Sequence, residues 1–148
     1  MTIILDNYTP LTLSDCDVII VPVRARNRGF MRHPLPDVKR EFPSAYAYFR
    51  RLTEVQKIVR GKLALPRNES PKIVFLPTAH DYRTPQYLDW VEAGLIVLRE
   101  RRVHDKYTIA FPALGIYEED RIDVKKVFRL VKKYLGDGKK DVYFLTSY

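Results

Sequence analysis

The segment LPTAHDYRTP, residues 76–85, gathers side chains that could carry out acid–base chemistry. His80 and Asp81 are a possible general base and the carboxylate that orients it. Neighbouring residues on an extended chain point to opposite sides, so a solvent-exposed turn between a strand and a helix is the favoured interpretation. A second candidate is the acidic cluster of Glu118, Glu119 and Asp120, which fits either a carboxylate site or a solvated turn.

The segment VRARNRGFMRH, residues 23–33, concentrates positive charge. Its basic side chains are Arg24, Arg26, Arg28, Arg32 and His33. A solvated basic loop is the simpler interpretation, and a loop that faces phosphate groups is the alternative. The whole chain has a net charge of +8, which favours anionic partners such as nucleotides or nucleic acid.

The sequence lacks the residues that a zinc site, a disulfide and the common nucleotide-binding and hydrolase motifs require. His33, His80 and His104 are too scattered for a zinc site, and the single cysteine, Cys16, cannot form an internal disulfide. The chain has no G-x-G-x-x-G, P-loop or G-x-S-x-G motif. We therefore expect neither a metal nor a cofactor, and a buried, reduced thiol at Cys16.

The composition is that of an ordinary globular protein. With 148 residues, 46% hydrophobic and 30% charged, we expect a single domain over residues 1–148. No apolar run approaches the roughly 20 residues that a membrane helix needs, so no membrane partner is expected. The first residues, MTIILDNYTP, do not resemble a signal peptide, and a cytoplasmic location is the default expectation. The oligomeric state cannot be predicted.

The order of apolar patterns predicts alternating strands and helices. Apolar runs bounded by turn residues predict strands at residues 3–5, 18–23, 62–65, 72–76, 108–111 and 142–145. Leu88, Val91, Leu95 and Leu98 form one face of a helix that Thr84 and Pro85 could begin. A last helix presents Val124, Val127, Val131 and Leu135 and ends at Gly136, and a less regular one covers residues 43–59.

This alternation predicts a three-layer α/β/α domain with a mostly parallel central sheet. Ligands of such sheets bind in the loops that follow the carboxyl ends of the strands. The loops expected to matter most are residues 24–36, after the second strand, and residues 112–121, after the fifth.

Four segments, in order, resemble the macrodomain family, in particular its branch of ADP-ribosyl glycohydrolases that includes antitoxins of DNA-ADP-ribosylating toxins. DVIIVPVRARNRGFMRHPLPDVKREFP is similar to a strand, a turn rich in Asn, a glycine loop and a helix. RGKLAL is similar to the entry to the middle strands. KIVFLPTAHDYRTPQYLDWVEAGLIVL is similar to a strand that ends in Pro-Thr-Lys, followed by a helix. YTIAFPALGIYEEDRIDVKKV is similar to a strand, a Pro-x-Leu-Gly turn and a second glycine loop.

The resemblance covers nearly the whole chain and implies a macrodomain-like fold with a mixed, mostly parallel sheet of about six strands. It also implies a site for ADP-ribose, whose diphosphate such loops hold with backbone N–H groups. Each loop keeps one glycine, and prolines 34 and 36 remove donors. The residues implied to bind the ligand are Arg24, Arg28, Gly29, Phe30, Met31 and Arg32, together with Pro112, Leu114, Gly115, Ile116 and Tyr117.

The resemblance also shows where this sequence departs from a glycohydrolase. The lysine that follows Pro-Thr in that branch attacks the anomeric carbon, and the corresponding residue is Ala79. Arg24 takes the place of an asparagine that touches the distal ribose, and arginine cannot accept a hydroxyl hydrogen bond. Asp120 matches the partner acid of that branch with one inserted residue, so it could still orient a ribose or act as a base. His80 is next to Ala79, but it points elsewhere if the strand continues.

Three functions are therefore open. The first is a divergent macrodomain that binds ADP-ribose-like, nucleotide or other phosphate-bearing ligands without efficient glycohydrolase activity, since Ala79 replaces the lysine. The second is an active ADP-ribosyl hydrolase for modified DNA or protein, with Asp120 or Glu119 as base. The third is a basic module that lost the ligand pocket and binds nucleic acid or a protein.

Overall fold

A computed structural model describes residues 3–6, 16–26, 35–66, 72–81, 83–111 and 122–145. Strands and helices alternate along these residues, as the sequence predicts. Their bounds are β1 (Ile3–Asp6), β2 (Val18–Arg26), α1 (Leu35–Glu41), α2 (Pro43–Glu54), β3 (Lys72–Asp81), α3 (Leu88–Glu100), α4 (Val103–Lys106), β4 (Ile109–Phe111), α5 (Val124–Leu135) and β5 (Val142–Leu145).

The five strands form one sheet in the order β1-β5-β4-β2-β3, and every strand pair in it is parallel. Successive side chains of β2 alternate between two cores because a strand has a period of two. Ile19, Val21 and Val23 pack with α1 and α2 on one face, and Val18 and Ile20 pack with α3 and α5 on the other. The predicted three-layer α/β/α architecture is therefore confirmed.

The prediction of about six strands is wrong for the part of the chain that the structure describes. Residues 62–65 contribute only an isolated antiparallel bridge, in which Ala64 pairs with Phe75 beside the edge strand β3. Gly61 turns the chain just before the bridge with a φ of 73°, and Pro66 just after it has no N–H to donate. Of the four residues between Gly61 and Pro66, only Ala64 pairs with β3.

Two strands are longer than predicted. β2 continues to Arg26 rather than ending at Val23, and β3 continues to Asp81 rather than Leu76. The register shifts between Val23 and Arg24, where β3 carries one extra residue. Such a bulge tolerates proline, and Pro77 on the edge strand lies at it. The expected loop after β2 is correspondingly shorter, because residues 24–26 are strand and α1 begins at Leu35.

The helical faces are as predicted, although two helix ends differ. In α5 the side chain of the N-cap residue Asp123 accepts the N–H of Lys125. The buried residues of this helix are Val127, Val131 and Leu135, and it ends before Gly136. α2 ends at Glu54 rather than near residue 59. α3 begins at Leu88 and not at the Thr84–Pro85 pair. The reason is that the Thr84 hydroxyl donates instead to the Asp81 carbonyl oxygen at 2.9 Å and closes a turn after β3.

Polar contacts at the amino-terminal edge of the sheet tie the helices together. Arg99, at the end of α3, donates to both carboxylate oxygens of Asp137 after α5, at 2.6 and 2.9 Å. This hydrogen bonding lowers the pKa of Asp137 to about 2. The Lys72 ammonium donates to the Tyr107 hydroxyl at 2.8 Å and lowers the pKa of that phenol. These groups lie where β3, β4 and β5 begin, at the edge opposite the one where ligands are expected.

Gly94 allows α3 to pack closely on β3. A Cβ atom at this position would overlap Leu76 Cδ1 and lie 2.9 Å from Leu76 Cγ. Leu76 is fully buried and has little room to move. The close packing of α3 on β3 therefore requires a residue without a Cβ atom at position 94.

Substituting Gly94 with alanine is expected to lower the free energy of unfolding by about 1 kcal/mol. Alanine is better than glycine in a helix by about 1 kcal/mol, but overpacking a filled core costs about 1–3 kcal/mol and outweighs that gain. Chemical denaturation of Gly94→Ala beside the wild type measures the difference. A variant as stable as the wild type would contradict the close packing of Gly94 on Leu76.

Candidate functional site

The carboxyl ends of β2 and β4 form a topological switch point of the sheet. From β2 the chain passes through α1 and α2 to β3 on one side, and from β4 it passes through α5 to β5 on the other. Open α/β sheets bind their ligands in the crevice that such diverging connections leave. The predicted ligand loops leave β2 and β4 at this edge.

Most residues predicted to bind the ligand lie outside the described residues. They are Arg28, Gly29, Phe30, Met31 and Arg32 in the first loop, and Pro112, Leu114, Gly115, Ile116, Tyr117 and Asp120 in the second. Their assignment stays a prediction.

The structure brings Arg24 and Ala79 together. They are Cα partners on the neighbouring strands β2 and β3, just past the bulge. Ala79 is 0% exposed and Arg24 is 6% exposed. The position matched to the catalytic lysine thus holds a buried methyl group, and its partner on β2 is a nearly buried arginine.

Thr78 fixes the end of β3 to the segment that leads into α3. Its hydroxyl lies 2.8 Å from Gln86 Oε1 and 3.3 Å from the Val23 carbonyl oxygen, and both Thr78 and Gln86 are buried. The Thr78 carbonyl oxygen also accepts the N–H of Tyr87 at 2.8 Å. The threonine of the Pro-Thr pair therefore has a structural part, because unsatisfied buried polar groups are costly.

His80 and Asp81 do not form the predicted turn, since they are the last residues of β3. The exposed His80 ring meets the edge of Trp90 with centroids 4.5 Å apart. One Asp81 carboxylate oxygen accepts the N–H of Arg83 at 2.9 Å and its side chain Nε–H at 3.3 Å. Asp81 is thus engaged by the following turn rather than orienting His80, so the pair lacks the geometry of a base and its orienter.

A cleft opens immediately beyond the pair of Arg24 and Ala79, at the carboxyl ends of β2 and β3, which is on the β3 side of the switch point. Its volume is about 660 Å³, within the usual range of small-molecule sites. Its walls come from both strand ends, the segment after α2, and the first turn of α3. The lining residues are Ala25, Arg26, Gln56, Ile58, Val59, Arg60, His80, Asp81 and Trp90.

The two arginines of the cleft differ in their surroundings. Arg60 Nε lies 3.3 Å from Asp89 Oδ2, so an acid already balances its charge. Arg26, the Cα partner of Asp81, is exposed and forms no ion pair with any residue in the described ranges. Arg26 is therefore the cation in this cleft that an anionic ligand can use.

No group of His, Cys, Asp and Glu side chains that could hold a metal ion occurs within the described ranges. Nor do those ranges contain a helix with the length and hydropathy to cross a bilayer.

No protein-family model and no curated protein matches the sequence. Solved structures do match. The macrodomain of Thermus aquaticus DarG has a TM-score of 0.83 and 19% identity over 97% of both chains. The macrodomain of Mycobacterium tuberculosis DarG has a TM-score of 0.77 and 23% identity over 99% of this chain and 100% of the other. The protein has a macrodomain fold.

A third match is Thermosipho africanus DarTG in complex with ADP-ribose, with a TM-score of 0.73 and 22% identity. Alignment covers 91% of the present chain and 39% of that longer one. At these identities the likeness establishes the fold alone. Two of the segments matched by sequence, the first and the third, come together at the carboxyl edge of the sheet, as the pairing of Arg24 with Ala79 shows.

Sequence reasoning missed part of the cleft in this protein. The segment after α2 supplies Gln56, Ile58 and Arg60, and the first turn of α3 supplies Trp90. Gln56 has a positive φ of 56°, which breaks the helical path and directs the chain toward the cleft. The only available signals were the irregular end of the helical pattern and the only tryptophan of the chain.

Proposed function

We propose that this macrodomain binds an ADP-ribose-like nucleotide at the carboxyl edge of its sheet and lacks efficient glycohydrolase activity. The observation that carries the proposal is the pairing of Arg24 with Ala79 beside an open cleft, within a fold shared with a structure that contains ADP-ribose. The fold supports a ligand site at this edge of the sheet, and the methyl group of Ala79 in place of a lysine supports the lack of efficient glycohydrolase activity.

The groups of the cleft suit the parts of such a ligand. Arg26 can form charge-assisted hydrogen bonds with the diphosphate. Asp81 can accept hydrogen bonds from ribose hydroxyl groups, in addition to those from Arg83. The exposed His80 ring, which packs against the buried Trp90 ring, offers an aromatic surface for the sugar or for a base.

The two loops complete the proposed site. Arg28, Gly29, Phe30, Met31 and Arg32 would border the phosphates from one side, with backbone N–H groups and positive charge. Pro112, Leu114, Gly115, Ile116 and Tyr117 would border them from the other side. These assignments rest on the resemblance of the loop sequences to macrodomains.

The lack of efficient hydrolysis follows from the alanine at position 79, which has no nucleophilic group. A methyl group cannot attack an anomeric carbon, so a covalent route through this residue is closed. Asp120 or Glu119 could act as a base for water, and this slower hydrolysis is the alternative function. Incubation with ADP-ribosylated DNA distinguishes the two, because release of ADP-ribose that disappears in Asp120→Asn would establish the hydrolase.

Titration of Trp90 fluorescence tests ligand binding directly. Trp90 is the only tryptophan of the chain and lines the cleft, so its emission reports on this site. We expect a saturable change with ADP-ribose, with a dissociation constant below about 1 mM, and weaker binding of AMP, which lacks the second phosphate. Excitation at the red edge of the tryptophan band avoids absorption by adenine.

The control is a thermal-shift series with the same ligands, because a ligand that binds the folded state raises the midpoint wherever it binds. ADP-ribose that changes neither the emission nor the midpoint of folded protein would contradict the proposal.

A further inference from the structure

The outward face of α5 is entirely basic. Five residues of this helix are exposed to solvent: Lys125, Lys126, Arg129, Lys132 and Lys133. They recur one helical turn apart and form one stripe, while Val127, Val131 and Leu135 are buried against the sheet. No neutral or acidic residue interrupts the stripe.

The basic stripe of α5 has no acidic counterpart within the described ranges. None of its five side chains forms an ion pair there. The nearby acids have other partners: Asp123 accepts the backbone N–H of Lys125 at 2.9 Å, Glu92 accepts the Tyr134 hydroxyl at 2.7 Å, and Asp137 pairs with Arg99 at 2.6 Å. The positive charge of the stripe is therefore available to a partner.

The stripe works against the stability of its own helix. Arg129 has a lysine at each of the positions three and four residues before and after it, and like charges at these spacings destabilise a helix. Lys125 and Lys126 also lie in the first turn, where the helix dipole disfavours positive charge. Folding alone thus does not account for this pattern, whereas a bound polyanion would relieve the repulsion.

We propose that the basic stripe of α5 binds the sugar-phosphate backbone of duplex nucleic acid. The stripe covers about 12 Å along the helix axis at 1.5 Å per residue, and a duplex carries one charge per about 1.7 Å. The aromatic residues of α5, Phe128 and Tyr134, are half-buried and pack against the core, so the stripe has no fully exposed ring on which the bases of a single strand could stack. The apolar residues of α5 face the sheet, which leaves nothing to insert into a lipid surface.

The topology places the first turn of α5 at the same edge of the sheet as the cleft. α5 follows β4 and precedes the parallel strand β5, so its first turn lies at the carboxyl edge of the sheet. Lys125 and Lys126 lie at that edge, whereas Lys132 and Lys133 lie toward the amino-terminal edge of the sheet. A nucleic acid bound along α5 would reach the edge where the nucleotide cleft opens. The contact does not depend on ADP-ribose binding.

Fluorescence anisotropy with a labelled duplex tests the inference in the full chain. With about four phosphate contacts, the slope of log Kobs against log[salt] should be between about −3 and −4, independent of base sequence. Arg129→Glu should weaken binding about tenfold at about 100 mM salt and make the slope shallower by about one. The same substitution should raise the thermal midpoint by about 3 °C, because four repulsive pairs become attractive.

The matched control is Arg51→Glu, which makes the same charge change on an exposed position of α2, on the other face of the sheet. It should leave duplex affinity within about twofold of the wild type, since a distant charge acts only through the screened field of the whole protein.

Three results would overturn the inference. The first is an equal loss of binding in both variants, which would indicate that the duplex responds only to the net charge of the protein. The second is full binding by Arg129→Glu. The third is tighter binding to phosphatidylserine–phosphatidylcholine vesicles, or to the single strand, than to the duplex.

Discussion

Replacing Ala79 with lysine is expected to lower the free energy of unfolding by about 3 kcal/mol at neutral pH. Ala79 is 0% exposed, and extra atoms in a filled site cost about 1–3 kcal/mol. The added ammonium would also lose its hydration, and it would share this buried region with the positive charge of Arg24, the residue paired with position 79 on β2. Both effects act in the folded state, so chemical denaturation measures their sum.

Comparing Ala79→Lys with Ala79→Met separates size from charge, because the two side chains have similar length. Burial and a neighbouring cation both lower the pKa of a lysine below its unfolded value of about 10.4. Between the two pKa values the unfolded state binds more protons, so stability rises with pH there. The deficit of the lysine variant relative to the methionine variant should therefore shrink as the pH is raised toward 10. A constant deficit would mean that the ammonium escapes to solvent.

The same pair of variants tests the functional mapping of position 79. A lysine with a lowered pKa carries more of the neutral amine, which is the nucleophilic form. If position 79 is the place of the attacking group, release of ADP-ribose from modified DNA should appear in Ala79→Lys and not in Ala79→Met. Activity equal to that of the wild type in both variants would contradict the mapping.

The elements that sequence alone could predict are those with strong local periodicity. The valines of α5 and the leucines of α3 recur at helical spacing, and the apolar runs of β2 and β5 have no competing pattern. These patterns follow from burial on one face, which the sequence records directly. The alternation of such elements was enough to predict the three layers.

The element boundaries that were predicted wrongly depend on hydrogen bonds that the apolar pattern does not reveal. Pro77 and the polar residues after it suggest the end of a strand, but hydrogen bonding to β2 carries β3 on to Asp81. Thr84 and Pro85 suggest a helix start, but the Thr84 hydroxyl bonds to Asp81. Local propensity is a weak guide where another hydrogen bond competes, either from a neighbouring strand, as for β3, or from a residue three positions earlier, as for Thr84.

The candidate site was less predictable than the fold, for the same reason. The contact between Arg24 and Ala79 joins residues far apart in sequence, and only the family resemblance suggested it. The cleft also needs Gln56 and Arg60, whose position follows from a left-handed residue after α2 that no local pattern marks. Polar residues on irregular segments carry little periodic information, so their meeting point emerges only from the assembled sheet.

Replacing Arg26 with alanine is expected to raise the dissociation constant for ADP-ribose about tenfold to a hundredfold. The substitution removes a cation of the cleft that has no acidic partner within the described ranges, and a hydrogen bond to a charged group contributes about 1.5–3 kcal/mol. Trp90 emission and calorimetry measure the change. Because Arg26 is exposed, stability without ligand should stay within about 0.5 kcal/mol of the wild type.

Arg60→Ala provides the matched control within the same cleft. Arg60 has the same charge, but its guanidinium lies 3.3 Å from Asp89. A cation that is already paired has less to gain from a phosphate, so its removal should change the dissociation constant by less than about threefold. If the two variants lost affinity equally, the cleft would attract the ligand through its general field, and Arg26 would have no particular part in binding. If neither lost affinity, the diphosphate would have to lie outside this cleft, against the two loops.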